Sequence, residues 1–156
     1  MEVRNIMTSD VKTCTPDSTL ASVANVMWSE NVGSVPVVDS GGKPVGIVTD
    51  RDIAMSSFLN HRSLWELQVQ EVVHGQTLWT CRPEDPVETA IEIMKAHEIR
   101  RLPVVDKAGH LVGLLSLGDL ASAAEPGAGR MKPPLPLNSL DPVFKAVFSH
   151  HAMATG

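Results

Sequence analysis

Two arginines, Arg100 and Arg101, stand directly ahead of the run Leu102-Pro103-Val104-Val105-Asp106, and Ser116 and Asp119 follow within twenty residues. Guanidinium groups hold phosphate or carboxylate through forked, charge-assisted hydrogen bonds, and a hydroxyl with a carboxylate three residues on can bind hydroxyl groups. Together they suit a polyanion with a sugar attached. An earlier stretch repeats the pattern: Val35-Pro36-Val37-Val38-Asp39, then Thr49-Asp50-Arg51-Asp52, at a constant offset of 67 residues. Thr13 with Thr80, Cys14 with Cys81, Met27 with Met94, Gly42 with Gly109 and Val45-Gly46 with Val112-Gly113 keep the same offset without insertion or deletion. The chemistry is therefore laid out twice, by duplication.

Other reactive residues form no pattern. His61, His74, His97, His110, His150 and His151 are scattered, with no ligand spacing alongside the cysteines, so no metal site is expected. Cys14 and Cys81 read either as small core residues on equivalent strands or as a redox pair. Trp79 can stack on an adenine or pack in the core. No nucleophile with a base, glycine-rich phosphate loop or paired catalytic carboxylates is present, and the expectation is a protein that is not an enzyme.

The elements that must position these residues follow from periodicity. Lys12 to Thr15 reads as a short strand ended by Pro16, with Asp17 or Ser18 capping the next helix. Leu20, Val23, Ala24 and Met27 fall on one face of that helix, which Asn31 to Ser34 breaks. Val35 to Asp39 and Pro44 to Thr49 form a hairpin across Ser40-Gly41-Gly42-Lys43, and Thr49 or Asp50 caps a helix running to about Phe58. A short helix is expected at Ser63 to Val73. The second copy repeats this with a strand at Trp79 to Arg82, a helical face at Val87, Ala90, Ile91 and Met94, a hairpin from Leu102 to Ser116 and a helix from Leu117. Trp28 aligns with Lys95, hence an exposed helix position suited to a subunit contact. The expected organisation is repeat 1 at 2–58, a linker at 59–72, repeat 2 at 73–122, and at 123–156 a Pro-rich linker with a C-terminal amphipathic helix. In that helix Val143, Phe144, Val147 and Phe148 share a face, and since the polar face is not basic, docking onto the body or a second subunit is expected rather than membrane binding.

With 156 residues, 43% hydrophobic and 20% charged, the chain fits one ordinary domain or two half-sized units sharing a core. A net charge of −5 argues against a general nucleic-acid binder, which needs a basic face to release phosphate counterions. No apolar run is long enough to span a bilayer, and Met1 to Thr8 has no secretory h-region, so a cytoplasmic protein is expected.

The two hairpin and hydroxyl-carboxylate patterns, Val35 to Asp39 with Gly46 to Asp52 and Leu102 to Asp106 with Gly113 to Asp119, resemble a tandem pair of cystathionine β-synthase (CBS) domains, the regulatory Bateman module. The lead-in Arg4-Asn5-Ile6-Met7-Thr8 resembles the segment that opens such domains, and the resemblance covers residues 2 to 122. It implies an α+β fold of two βαββα repeats about a pseudo-twofold axis, often dimerising further, hence a homodimer here. It also implies a regulatory adenosyl ligand (AMP, ADP, ATP or S-adenosylmethionine) with no required cofactor, and an effector protein that reads the occupancy.

Carried over, one cleft combines Thr49 and Asp52 with Arg100 and Arg101. The other combines Ser116 and Asp119 with Gly33 and Ser34, plus the lead-in Ile6, Met7 and Thr8. The aspartates would hold ribose, and the hydroxyls would face sugar or phosphate at a helix N-terminus. Two arginines on one side predict asymmetric affinity. Two alternatives stay open: the hydroxyls and carboxylates serve only as helix caps, and the chain is a ligand-free interaction or scaffold module, stress-related in role.

Overall fold

The computed structural model describes residues 1–124 and 135–149. Its elements in chain order are α1 (Leu20–Glu30), β1 (Ser34–Val38), β2 (Pro44–Thr49), α2 (Asp50–Asn60), α3 (Val69–Val73), α4 (Val87–His97), β3 (Arg101–Val105), β4 (Leu111–Ser116), α5 (Leu117–Ala124) and α6 (Asp141–Phe148). The fold is mixed, with β1 pairing β2 and β3 pairing β4 in two separate two-stranded sheets, each flanked by helices. The β1–β2 ladder is antiparallel, runs from Ser34 opposite Thr49 to Val37 opposite Gly46, and slips at Val38.

Two compact units result: Asp10–Leu78 with Lys107–Leu111, and Met1–Ser9 with Trp79–Asp106 and the described residues from Val112 onward. Each has one apolar core. In the first, Leu20, Val23 and Met27 of α1 meet Val35, Val37 and Val48 of the sheet, Ile53 of α2 and Val69 and Val73 of α3. In the second, Val87, Ala90, Ile91 and Met94 meet Leu102, Val104, Leu115, Leu117 and Leu120 together with Val3. Thus each unit takes its lead-in from the other end of the duplication: Val3 N donates to the Asp85 carbonyl, as Val69 N does to Ser18. The lead-ins align at an offset of 66, not 67, and the extra residue falls at the turn His74-Gly75-Gln76, where Gly75 adopts φ +75°. The second hairpin's turn joins the first unit, Leu111 N donating to the Gly42 carbonyl at 3.0 Å.

Several expected boundaries differ. The short strands at Lys12 to Thr15 and Trp79 to Arg82 reduce to single parallel bridges, Cys14 with Val37 and Cys81 with Val104. Pro16 and Pro83, which lack an N–H, prevent longer pairing. Thr19, not Asp17 or Ser18, caps α1 by accepting from Ser22 N at 3.2 Å, because Asp17 and Ser18 are engaged with Thr15. The helix expected at Ser63 to Val73 begins only at Val69. Upstream, the Leu64 and Leu67 carbonyls accept from Ala21 N and Leu20 N, satisfying the open donors of α1 instead of extending a helix of their own. α2 runs two residues beyond Phe58 to Asn60.

α6 packs against α4, with Val143 and Val147 buried alongside Leu135 and Leu140 in the second core. The amphipathic helix therefore docks onto its own chain. Most of the Pro-rich linker, residues 125–134, and the pair His150-His151 lie outside the described residues. No helix among the described residues is long and apolar enough to cross a membrane.

Candidate functional site

β2 ends where α2 begins, and the switch from extended to helical backbone needs a cap. Thr49 supplies it: its Oγ1 accepts from Asp52 N at 3.2 Å and donates to Asp52 Oδ2 at 2.9 Å, while Thr49 N donates to the same Oδ2 at 2.8 Å. The duplicate is the same in kind. Ser116 Oγ accepts from Asp119 N at 3.2 Å and donates to Asp119 Oδ2 at 2.6 Å, and Ser116 N donates to Oδ2 at 2.7 Å. Both aspartates are half-buried. The capping reading is therefore realised in both repeats, and it engages only one oxygen of each carboxylate. Among the described residues, Oδ1 of Asp52 and of Asp119 takes no hydrogen bond. A fixed carboxylate with one uncommitted oxygen, beside a helix N-terminus, can accept hydroxyl donors while the helix end favours an anion.

Around Thr49 and Asp52 the structure assembles Gly33 and Ser34. The Gly33 carbonyl accepts from Asp50 N at 3.1 Å, and Ser34, 7% exposed, lies opposite Thr49 in the ladder. Arg100 and Arg101 belong to the same unit as Ser116 and Asp119, with the Arg100 carbonyl accepting from Leu117 N at 3.0 Å. Arg101 opens β3 and is half-buried. Neither arginine forms an ion pair among the described residues. The Arg100 guanidinium instead lies 4.6 Å from the ring centroid of Phe148, a cation–π contact. Ile6, Met7 and Thr8 also join Ser116 and Asp119: Thr8 pairs with Leu114 through bonds of 3.0 and 2.9 Å, and the Met7 thioether covers Gly113.

Two participants were not foreseen. Gln76 clamps the edge of β2 at Ile47, its amide accepting from Ile47 N and donating to the Ile47 carbonyl, both at 3.1 Å. It does with a side chain what Thr8 does with its backbone on β4. The offset could have located this segment, since Val73 covers Gly46 as Met7 covers Gly113, but nothing in a lone glutamine announces the role. Phe148 was placed on the apolar face of its helix, yet no local pattern ties it to Arg100.

Cys14 and Cys81 are free, buried thiols. Burial pushes Cys14 up from 9.0 to about 11, and burial with the nearby Asp85 carboxylate pushes Cys81 up to about 12. Such thiols stay protonated at neutral pH and are poor nucleophiles, consistent with core residues. Trp79 differs from the core expectation: it is partly exposed and stacks on His97 with ring centroids 3.5 Å apart and planes 8° from parallel. Its counterpart Lys12 marks the position as one open to solvent. No cluster of metal-ligating side chains occurs among the described residues.

Comparison with known proteins agrees with this construction. The CBS domain family model matches residues 3–57 and 69–125. The CBS domain-containing protein YhcV of Bacillus subtilis is 40% identical over 119 residues, covering 76% of this chain and 82% of its own. Homoserine O-acetyltransferase and inosine-5'-monophosphate dehydrogenase relatives also match, but the chain spans only about a quarter of their length. Among solved structures, CBSX2 in complex with AMP superposes with TM-score 0.67 at 26% identity, over 79% of this chain and 95% of that one. The CBS domain pair of MJ0100, in complex with 5-methylthioadenosine and S-adenosyl-L-methionine, gives TM-score 0.67 at 25% identity, over 78% and 94%. With two matched repeats, duplicated caps and a shared fold, the chain belongs to the CBS-domain family as a tandem pair.

Proposed function

We propose that this protein is a non-catalytic sensor that binds an adenosyl ligand (AMP, ADP, ATP or S-adenosylmethionine) and passes its occupancy to an effector protein. The observation that carries the reading is the pair of half-buried aspartates, each fixed through Oδ2 with Oδ1 uncommitted. Asp52 and Asp119 hold ribose hydroxyls, Thr49 and Ser116 face sugar or phosphate, and Arg100 and Arg101 take the phosphate together with Thr49 and Asp52. Gly33, Ser34 and the lead-in Ile6-Met7-Thr8 accompany Ser116 and Asp119 at the second site. The adenosyl ligands held by CBSX2 and MJ0100 support the ligand class.

Hydrogen bonds to charged groups contribute about 1.5–3 kcal/mol each, so an arginine pair serving one ligand separates the two repeats strongly in affinity. Thermal unfolding with AMP, ATP and S-adenosylmethionine tests the reading. A ligand at 100 times its dissociation constant adds about 2.7 kcal/mol of stability. Arg101→Ala lowers affinity for phosphorylated ligands about tenfold or more, and its effect is non-additive with Asp52→Asn but additive with Asp119→Asn. Additivity with Asp52→Asn sinks the pairing of the arginines with that site.

The second reading, a ligand-free interaction or scaffold module, is favoured by the completeness of both capping boxes, which already gives Asp52 and Asp119 a role. An unchanged unfolding temperature with all three ligands decides for it.

A further inference from the structure

Arg100 is exposed, yet both its backbone and its side chain are held. Its carbonyl accepts from Leu117 N at 3.0 Å, which pins it where α5 begins, and its guanidinium carbon lies over the Phe148 ring, 4.6 Å from the centroid. Phe148 is the last residue of α6. Phe144, one turn earlier, supports it, the two rings lying 6.1 Å apart and tilted by 30°. Val143 and Val147 are buried in the core of the second unit, so the helix that carries the ring is fixed by its own packing.

Burial does not explain Phe148, which is 56% exposed while Val143 and Val147 already supply the apolar contact of α6 with the core. Its ring presents a negative face to a cation. A guanidinium stacked by its face keeps its donors pointing outward in its own plane, where they can make the forked hydrogen bonds that hold a phosphate. No carboxylate pairs with Arg100 among the described residues. An arginine already held also loses less side-chain freedom when it grips a ligand. At the offset of 67, Arg100 and Arg101 stand where the first repeat has Gly33 and Ser34, and the first core draws on residues 14–73 with no helix corresponding to α6. The cation and the aromatic that holds it therefore belong to the same unit, and the other unit has neither.

We propose, resting on the reading of Arg100 as a phosphate ligand, that Phe148 is a positioning residue for phosphate recognition. It acts through Arg100, holding the guanidinium by its face so that the donors meet the phosphate, and it makes α6 part of the preference for phosphorylated over unphosphorylated adenosyl ligands. Linkage makes the effect reciprocal: a ring that favours phosphate on Arg100 is itself held more firmly once phosphate is there. Occupancy of the site therefore reaches the C-terminal helix.

Calorimetric titration of the full chain with AMP and with adenosine tests it, with circular dichroism confirming that each variant is folded. An exposed cation–π contact is worth a factor of about two to five in affinity, so Phe148→Leu lowers the ratio of AMP to adenosine affinity by that factor. Phe148→Trp, which keeps an aromatic face, preserves or raises the ratio. In an Arg100→Ala background, Phe148→Leu changes the ratio no further, a non-additivity that a role confined to packing α6 does not produce. A ratio that falls with Arg100→Ala but not with Phe148→Leu overturns the inference and leaves the reading of Arg100 standing. Equal losses from Phe148→Leu with and without Arg100 overturn it too, placing the effect in the docking of α6. A ratio unmoved by Arg100→Ala, or a chain that binds neither AMP nor adenosine, overturns that reading and the inference together.

Discussion

At the scale of single residues, the two aspartates do the most with the least. One oxygen of each carboxylate closes a capping box, so a variant reads out stability and ligand binding together. Asp119→Asn removes the charge-assisted part of the cap and costs about 0.5–2 kcal/mol whether or not a ligand exists; urea unfolding without ligand measures that share, and only the ligand-induced shift reports on recognition. The thiols make a separate prediction. Folded-state values of about 11 for Cys14 and about 12 for Cys81 lie above the ordinary 9.0. Between those values the unfolded chain has released thiol protons that the native state retains, so native stability falls as pH rises from 9 toward 12. Urea midpoints between pH 8 and 11 (about the practical range for such values) follow this decline. The double variant Cys14→Ala with Cys81→Ala shows a flatter profile.

At the scale of elements, two glycines decide how closely the lead-ins approach the sheets. A Cβ on Gly46 would meet Val73 Cβ at 2.8 Å and Cγ1 at 2.9 Å, and one on Gly113 would meet the Met7 sulfur at 2.7 Å and the Thr8 carbonyl oxygen at 3.0 Å. Valine is stiff about χ1, so Gly46→Ala forces α3 away from β2 at a cost of about 1–3 kcal/mol. Gly113→Ala costs a similar amount despite the flexible methionine, because the Thr8 backbone cannot yield without loosening its pairing to Leu114. Denaturant midpoints of the two variants check both. The ends of the helices carry an opposite opportunity. His61 closes α2 in the left-handed region at φ 52°, where a side chain costs about 1–2 kcal/mol. His61→Gly therefore raises stability by about 1 kcal/mol, and a thermal unfolding curve displaced to lower temperature contradicts it.

At the scale of the whole molecule, α6 is part of the second core and not an appendage. Leu140 and Val143 are fully buried with Leu120 and Met94. Leu140→Ala is expected to cost about 2–5 kcal/mol, read as a lowered urea midpoint; a loss below about 0.5 kcal/mol, the size of an ordinary surface change, would show that α6 is dispensable. The duplicated units are thus stabilised differently, one completed by its own C-terminal helix and the other leaving Trp28 of α1 and Phe58 of α2 exposed.

Much of this was legible in the sequence because its causes are local. The hairpins, the helices beginning at Leu20 and Val87, and the hydroxyl-carboxylate pairs follow from period, turn glycines and capping chemistry. The constant offset then carried each feature of one repeat to the other, and buried cysteines followed from their place on equivalent strands. Other features rest on long-range partners that no local pattern encodes. Lys12 to Thr15 and Trp79 to Arg82 shrink to single bridges beside the sheets. Leu64 and Leu67 give their carbonyls to α1, Gln76 substitutes for a strand, and each lead-in packs with the opposite end of the duplication. The sequence by itself determined that there are two similar units and what chemistry each carries, since repetition and capping are properties of neighbours along the chain. Only the tertiary structure decided which segments complete each core, and that α6 packs against α4 while Trp28 of α1 and Phe58 of α2 stay exposed, because burial depends on what the rest of the chain brings alongside.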